Sequence, residues 1–340
     1  MMHKRDLRKF IKKITPAQRR KIILVAIAVL AIIIALLALR AWEKQRNAAS
    51  ETEEGQELVY YNDQWYAYND DMKTILLVGL DRFENNALTG DDVQINNMQS
   101  DFLLLLAVDT KSETVQAIHI NRDTMTDIKI IGALGDYLGT EVAQLALSFT
   151  YGSGSTDSLH HTEYAVSNLM YNIPIDQSMA VTMEAVPIVN DAVGGVTVEV
   201  LHDFNGVDGI GNAGTTITLM GDQSLTYVRE RGDIEANTNL ERMDRQRQYM
   251  DALYAKLKQC AADDPDFVKN TIKQVVDYLI TDSTTSQLEY AGKKLLNYTY
   301  KGITSTQGIA MKGDVYMEYY TDEEALAQLV IETFYQPVEE

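Results

Sequence analysis

The chain has almost no cysteine: Cys260 is the single one among 340 residues. An internal disulfide and a multi-thiolate zinc site are therefore excluded. A lone thiol suits either side of a membrane and does not choose a compartment. Basic charge is also scarce, with 30 Lys plus Arg against 49 Asp plus Glu and a net charge of −19. A generic nucleic-acid binder needs a basic footprint, so that class is excluded. Lysine is missing altogether between Ile130 and Ala255. There is no P-loop, no dinucleotide-binding glycine fingerprint, no internal repeat and no low-complexity tract. Ser153 and Ser155 in YGSGS lack the strand-to-helix setting of a hydrolase nucleophile. The adjacent His160 and His161 read as a helix start, because sequence neighbours do not face one ligand. His119 reads as the interior side chain of an apolar strand.

What is present is a 46% hydrophobic chain, too apolar to stay disordered and long enough for one large domain or two ordinary ones. Its charge is unevenly spread. Residues 1–40 hold ten basic side chains and one acid, Asp6; taking these from the totals leaves 20 basic and 48 acidic, net −28. Ile22 to Leu39 is an uninterrupted run of 18 apolar residues. As a helix it spans about 27 Å, close to the hydrocarbon thickness of a bilayer. It exceeds the usual apolar region of a cleaved signal peptide, so an uncleaved anchor is expected. Nine cations precede it, which predicts a cytoplasmic basic segment at 1–21 and everything after the anchor outside. So short a segment is no DNA-binding domain.

Residues 40–71 read as a stalk, with a possible aromatic hairpin in LVYYNDQWYAY from Leu58 to Tyr68. A domain is expected over 72–340, its motif-bearing core at 72–260. Ile75–Val78, Phe102–Val108 and Val115–Ile120 are short bounded apolar runs, as buried strands are. Helical spacing follows at Leu145–Phe149 and around Tyr164–Met170, then a strand near Ser178–Thr182. A helix reaching Val193 ends at Gly194-Gly195, before a strand Val196–Val200. Met220–Val228, Asn239–Cys260, two stretches beyond Asp263 and Asp322–Phe334 read as helices, with a β-like pair near Ile303–Met311 and Val315–Tyr319. This order implies an α/β domain, layered α-β-α around a central mixed sheet, preceded by one N-terminal transmembrane helix.

Five arginines fall between 229 and 247: Arg229, Arg231, Arg242, Arg245 and Arg247. A planar guanidinium binds phosphate or carboxylate bidentately, which lysine cannot match. Interspersed acids leave a salt-bridged surface as the alternative. Thr238 and Glu241 have capping-box spacing, so a helix should start near Asn239. Arg242, Arg245, Gln246 and Tyr249 then share one face, and a cation in the first turn is better explained if an anion docks there. Asp81 and Asp101 are expected at loop–strand junctions, and Arg122-Asp123 follows the strand ending at Ile120. Paired carboxylates with waters and phosphates are the usual way of holding Mg²⁺.

Six segments in order carry a resemblance: TILLVGLD (74–81), SDFLLLLAVD (100–109), INRDT (120–124), VGGVTVEV (193–200), YVRER (227–231) and LERMDRQRQ (240–248). Together they resemble the LytR-CpsA-Psr family of bacterial cell-envelope phosphotransferases. That family joins undecaprenyl-pyrophosphate-linked glycopolymers, such as teichoic acid or capsule, to peptidoglycan outside the membrane. The resemblance implies Asp81 and Asp101 as carboxylates linked to Mg²⁺. It implies Arg122, Arg229, Arg231 and Arg242, with Gln246, as a pyrophosphate clamp, and brings in Arg245, which is also in the motif. Asp123 or a metal-bound acid would take the acceptor proton. Asn121, Gln99, Gln144 and Ala146 stand where the family usually has Pro, Arg, Lys and Asn; Arg82 could replace the missing clamp cation. A prenyl tail needs an apolar lining, for which Leu145, Leu147, Phe149, Val181, Met183 and Val186 qualify, as they equally do for plain core. Two other functions fit the same segments: a non-catalytic sensor of polyprenyl lipid, and a pyrophosphatase on that lipid.

Overall fold

The computed structural model describes residues 58–82, 95–204, 207–230, 238–314 and 316–338. The chain forms two units, Met1–Tyr61 and Asn62–Glu340. Of the first, the described part holds one strand, β1 (Val59–Tyr61). The expected anchor at 22–39, the basic segment before it and Arg231 lie outside the described residues. Among the described residues no helix is long and apolar enough to cross a membrane.

In the second unit the strands are β2 (Gln64–Tyr68), β3 (Met72–Arg82), β4 (Met98–Asp109), β5 (Thr114–Ile120), β6 (Met125–Ile131) and β7 (Tyr137–Gln144). Then come β8 (Gln177–Thr182), β9 (Val196–Glu199), β10 (Thr216–Leu219), β11 (Leu279–Ile280), β12 (Thr299–Ser305), β13 (Gly308–Lys312), β14 (Met317–Thr321) and β15 (Tyr335–Pro337). The helices are α1 (Thr156–Leu169), α2 (Ala185–Ala192), α3 (Asp222–Arg229) and α4 (Thr238–Asp263), then α5 (Phe267–Val275), α6 (Thr285–Asn297) and α7 (Glu323–Phe334).

Six strands form the central sheet in the order β11-β8-β3-β4-β5-β12. It is mixed, as expected: β3–β4 and β4–β5 are antiparallel, β3–β8 and β5–β12 parallel. Alternation along a strand sends successive side chains to opposite faces. Leu76, Val78, Leu80, Leu103 and Leu105 thus pack one face against α1 and α7, through Leu159, Val166, Leu326 and Phe334. Leu106, Val108 and Val115 serve the other face, with Leu295 of α6. A second core gathers Val196, Val198, Leu219, Tyr227, Tyr249 and Leu253 from the β9–β10 ribbon, α3 and α4. The buried Asn190 of α2 ties it together. Its amide donates to the Leu219 carbonyl (2.9 Å), while its oxygen accepts from Val196 N–H and Tyr249 O–H.

The expected elements recur with small shifts, and a few readings need correction. Asp81 and Asp101 sit inside β3 and β4, because both strands extend beyond their apolar runs. Leu145–Phe149 is a single 3-10 turn. His160 and His161 lie a turn inside α1, and His160 pairs with Asp282 at 2.7 Å. Ser153 donates to Asp157 beside the start of that helix. The β6–β7 hairpin leaves no trace in the sequence pattern because Tyr137, Leu138 and Val142 point to solvent, which erases the alternation. Gly194 and Gly195 do stop α2, both with left-handed φ (76° and 87°).

Gly79 permits a close approach of β3 to β4. A Cβ there would lie 2.9 Å from Phe102 Cβ on the neighbouring strand. Gly79→Ala is expected to lower stability by about 1–3 kcal/mol through overpacking, read as a fall in the urea midpoint of the purified protein.

Candidate functional site

The pairing of β3 with β4 slips at Gly79. Gly79 faces Phe102, Leu80 faces Ser100, and Asp101 is left over as a bulge. A bulge re-aims the side chain of its extra residue. Leu80 and Ser100 are buried on the α1 face; by alternation their neighbours Asp81, Gln99 and Asp101 turn to the opposite one. Two carboxylates from adjacent strands are thereby delivered to one place.

Guanidinium groups from three other parts of the chain meet them. Arg229, the last residue of α3, grips Asp81 bidentately, Nε to Oδ2 at 2.8 Å and Nη2 to Oδ1 at 3.1 Å. Arg122, just past β5, donates Nη1 to Asp101 Oδ1 and Nη2 to Gln99 Oε1 (2.9 Å). Arg242, on α4, donates Nη1 to Asp101 Oδ2 at 3.2 Å. Its Nη2 donates to Asn239 Oδ1 (2.7 Å), whose amide in turn donates to Asn121 Oδ1 (2.6 Å). Asn121 also accepts from the Asp123 N–H. A cavity of about 330 Å³ opens here, lined by Asp81, Asp101, Arg229, Glu230 and Arg242. Burial differs sharply: the Arg242 side chain is 2% exposed and that of Arg229 52%.

Other expected site residues lie elsewhere. Arg245 shares the buried face of α4 with Arg242, yet its Nε donates to the Tyr227 carbonyl (2.9 Å) and its Nη2 to that of Glu230. Gln246 donates to the Val228 carbonyl at 3.1 Å. Both therefore brace the end of α3, the segment that presents Arg229. Burial pulls the Arg245 guanidinium below its ordinary pKa, against the pull of Tyr227 and nearby acids. Asp123 Oδ1 accepts from Gln144 (2.9 Å) and lies 3.3 Å from Arg122 Nε. Leu145 and Phe149 are fully buried in the first core, and Val181 is half-buried in β8. Arg82 is the last residue of β3. Glu230 lies within the YVRER segment, which gives it no role of its own, and no motif marks Asn239 behind Arg242.

The sequence model of the LytR_cpsA_psr family matches residues 36–333. The chain belongs to that family. Among curated relatives, the polyisoprenyl-teichoic acid–peptidoglycan teichoic acid transferase TagU of Bacillus licheniformis is 26% identical over 278 residues, 78% of each chain. TagU of Bacillus subtilis is 27% identical over 86% of this chain and 87% of its own. Two solved structures share the fold. Bacillus subtilis TagV aligns with a TM-score of 0.59 at 21% identity, over 78% of this chain and 98% of its own. TagT bound to LI-WTA aligns at 0.57 and 18%, over 83% and 96%. The mixed α/β sheet described above is thus the family's fold.

The two arginine pairs should respond differently to truncation. Arg242→Ala removes a guanidinium partner of a buried carboxylate and is expected to cost about 3–5 kcal/mol. Arg229→Ala breaks an exposed pair and should cost less than about 1 kcal/mol; urea unfolding of the two variants separates them.

His119 carries a pH signature. It is buried against Phe102, and among the described residues its Nδ1 has no hydrogen-bond partner. Burial, with Arg247 and Arg242 nearby, lowers its pKa to about 3. The unfolded chain, with His near 6.5, binds the proton that the folded one refuses. Stability is therefore full above pH 6.5 and is lost toward pH 3, by at most about 1.4 kcal/mol per unit. Urea midpoints of His119→Leu should be flatter over that interval than those of the unsubstituted protein.

Proposed function

We propose that this protein is a membrane-anchored transferase. It moves a glycopolymer, teichoic acid, capsule or similar, from undecaprenyl pyrophosphate to peptidoglycan by Mg²⁺-assisted phosphoryl transfer. The observation that carries the reading is the convergence of Arg122, Arg229 and Arg242 on Asp81 and Asp101 around one cavity, in a chain of this family. The relatives' names specify teichoic acid and peptidoglycan. In this reading the apolar run at 22–39 spans the membrane, with the amino end in the cytoplasm and the domain outside.

The donor set fits Mg²⁺. Among the described residues no group of three or more metal-binding side chains occurs, and Mg²⁺ does not ask for one. It takes one or two carboxylates and completes its shell with water and substrate phosphate. Asp81 and Asp101 supply the carboxylates; the ion would supply charge neutralisation at the phosphates.

The chain's own residues do the rest. Arg229, half-exposed, is able to swing from Asp81 to an entering pyrophosphate, whose oxygens match its planar fork as well as a carboxylate does. Arg122 and Arg242, buried and held by Gln99 and Asn239, keep a fixed positive wall behind Asp101. Preorganised donors of this kind stabilise charge that builds on the leaving polyprenyl phosphate as an acceptor hydroxyl attacks. Metaphosphate-like transition states need positioning and charge more than covalent help.

The test uses the full chain with a polyprenyl-pyrophosphate-linked saccharide and peptidoglycan oligomers. A joined product is expected, lost on chelation of divalent ions and restored by Mg²⁺. Arg229→Ala should lower transfer at least about 100-fold while remaining folded. Released phosphorylated saccharide with no joined product would make the protein a pyrophosphatase instead. Full transfer by Arg229→Ala would reject the clamp.

A further inference from the structure

Three acidic residues line the cavity, and the carboxylates of two are already engaged. Both oxygens of Asp81 accept from Arg229; those of Asp101 accept from Arg122 and Arg242. The third is Glu230, which is exposed and makes no hydrogen bond or ion pair through its carboxylate among the described residues. Its main chain, by contrast, is fixed at both ends. The Glu230 N–H donates to the Thr226 carbonyl at 2.9 Å, closing α3. Its carbonyl accepts from the buried Arg245, itself anchored on the Tyr227 carbonyl and lying 5.4 Å over the Phe204 ring. A solvent-reaching acid on a rigid main chain, one residue from the guanidinium that grips Asp81, is placed to meet a second substrate at the cavity mouth.

We infer that Glu230 is the catalytic base that receives the proton of the acceptor hydroxyl; this rests on the transfer reaction proposed above. The acceptor oxygen bonds to the glycan-side phosphorus while its proton passes to the Glu230 carboxylate. The bond from that phosphorus to the bridging oxygen breaks, and polyprenyl phosphate leaves with the electron pair. Glu230 then returns the proton to solvent. Asp123, the other acid adjoining the arginines, does not line the cavity, and its Oδ1 is occupied by Gln144. Asp81 and Asp101 would have to release their guanidiniums, and Mg²⁺ competes for both. Glu230 needs neither exchange.

Glu230→Gln keeps the shape and removes the base. In the full chain, with a polyprenyl-pyrophosphate-linked saccharide and peptidoglycan oligomers, kcat should fall about 100-fold or more. The donor Kd and the Mg²⁺ concentration for half-maximal rate should stay at their unsubstituted values. Added formate should restore turnover to Glu230→Ala, a readout that a merely structural residue would not move. An unchanged kcat in Glu230→Gln overturns the proposal. So does a loss that tracks weaker donor or Mg²⁺ binding, which would make Glu230 a ligand, and so does a loss that formate leaves uncorrected. If the unsubstituted chain joins no product at all, the transferase reading fails and the base falls with it. An active parent beside an unimpaired Glu230→Gln removes the base alone.

Discussion

The carboxylate of Asp101, held between the guanidiniums of Arg122 and Arg242, is the interaction on which the site depends. All three side chains are almost wholly buried. Removing charge from water is costly, and a buried carboxylate persists only when its lone pairs are satisfied. That requirement binds together a bulge in β4, the chain just past β5 and the first turns of α4, which are far apart in sequence. Arg229 and Asp81 repeat the arrangement between α3 and β3 nearer the surface. The bulge in turn relies on Gly79, since a larger residue would press against Phe102. Site geometry and fold are thus one structure.

Much of this is legible in the sequence. Bounded apolar runs give away β3, β4 and β5, and the i, i+3, i+4, i+7 spacing correctly places Arg242, Arg245, Gln246 and Tyr249 on one buried face of α4. What spacing cannot convey is the partner of each. Arg245 and Gln246 carry the same periodicity as Arg242, yet they end on main-chain carbonyls at the end of α3. The bulge is also hidden, because one surplus residue in a pair of strands leaves no mark in either strand alone. Glu230 escapes for a similar reason: its place at the cavity is set by the fold, and its neighbours in sequence are the showier arginines.

Departures from the family's pattern find local compensation. Gln99, in place of an arginine, accepts from Arg122 and so orients that guanidinium instead of adding charge. Asn121, in place of a proline, links the Asp123 N–H to Asn239 and through it to Arg242. Gln144, in place of a lysine, ties Asp123 to the Met317 carbonyl of β14. Each of these three departures puts a neutral amide in place of a cation or a rigid ring, accepting at Gln99 and Asn121 and donating at Gln144. The site keeps its scaffold with fewer positive charges.

The pairing of every described cavity arginine with an aspartate has a consequence for which solutes can enter. Without substrate, the cavity is electrically self-sealed, and a small anion such as inorganic phosphate would have to displace an acid while offering nothing to replace it. A diphosphate arriving with a divalent counter-ion offers both halves of the exchange: metal for the aspartates, oxygens for the guanidiniums. In the proposed reaction, discrimination against simple anions would then follow from an ion-pair swap, without any door or steric filter.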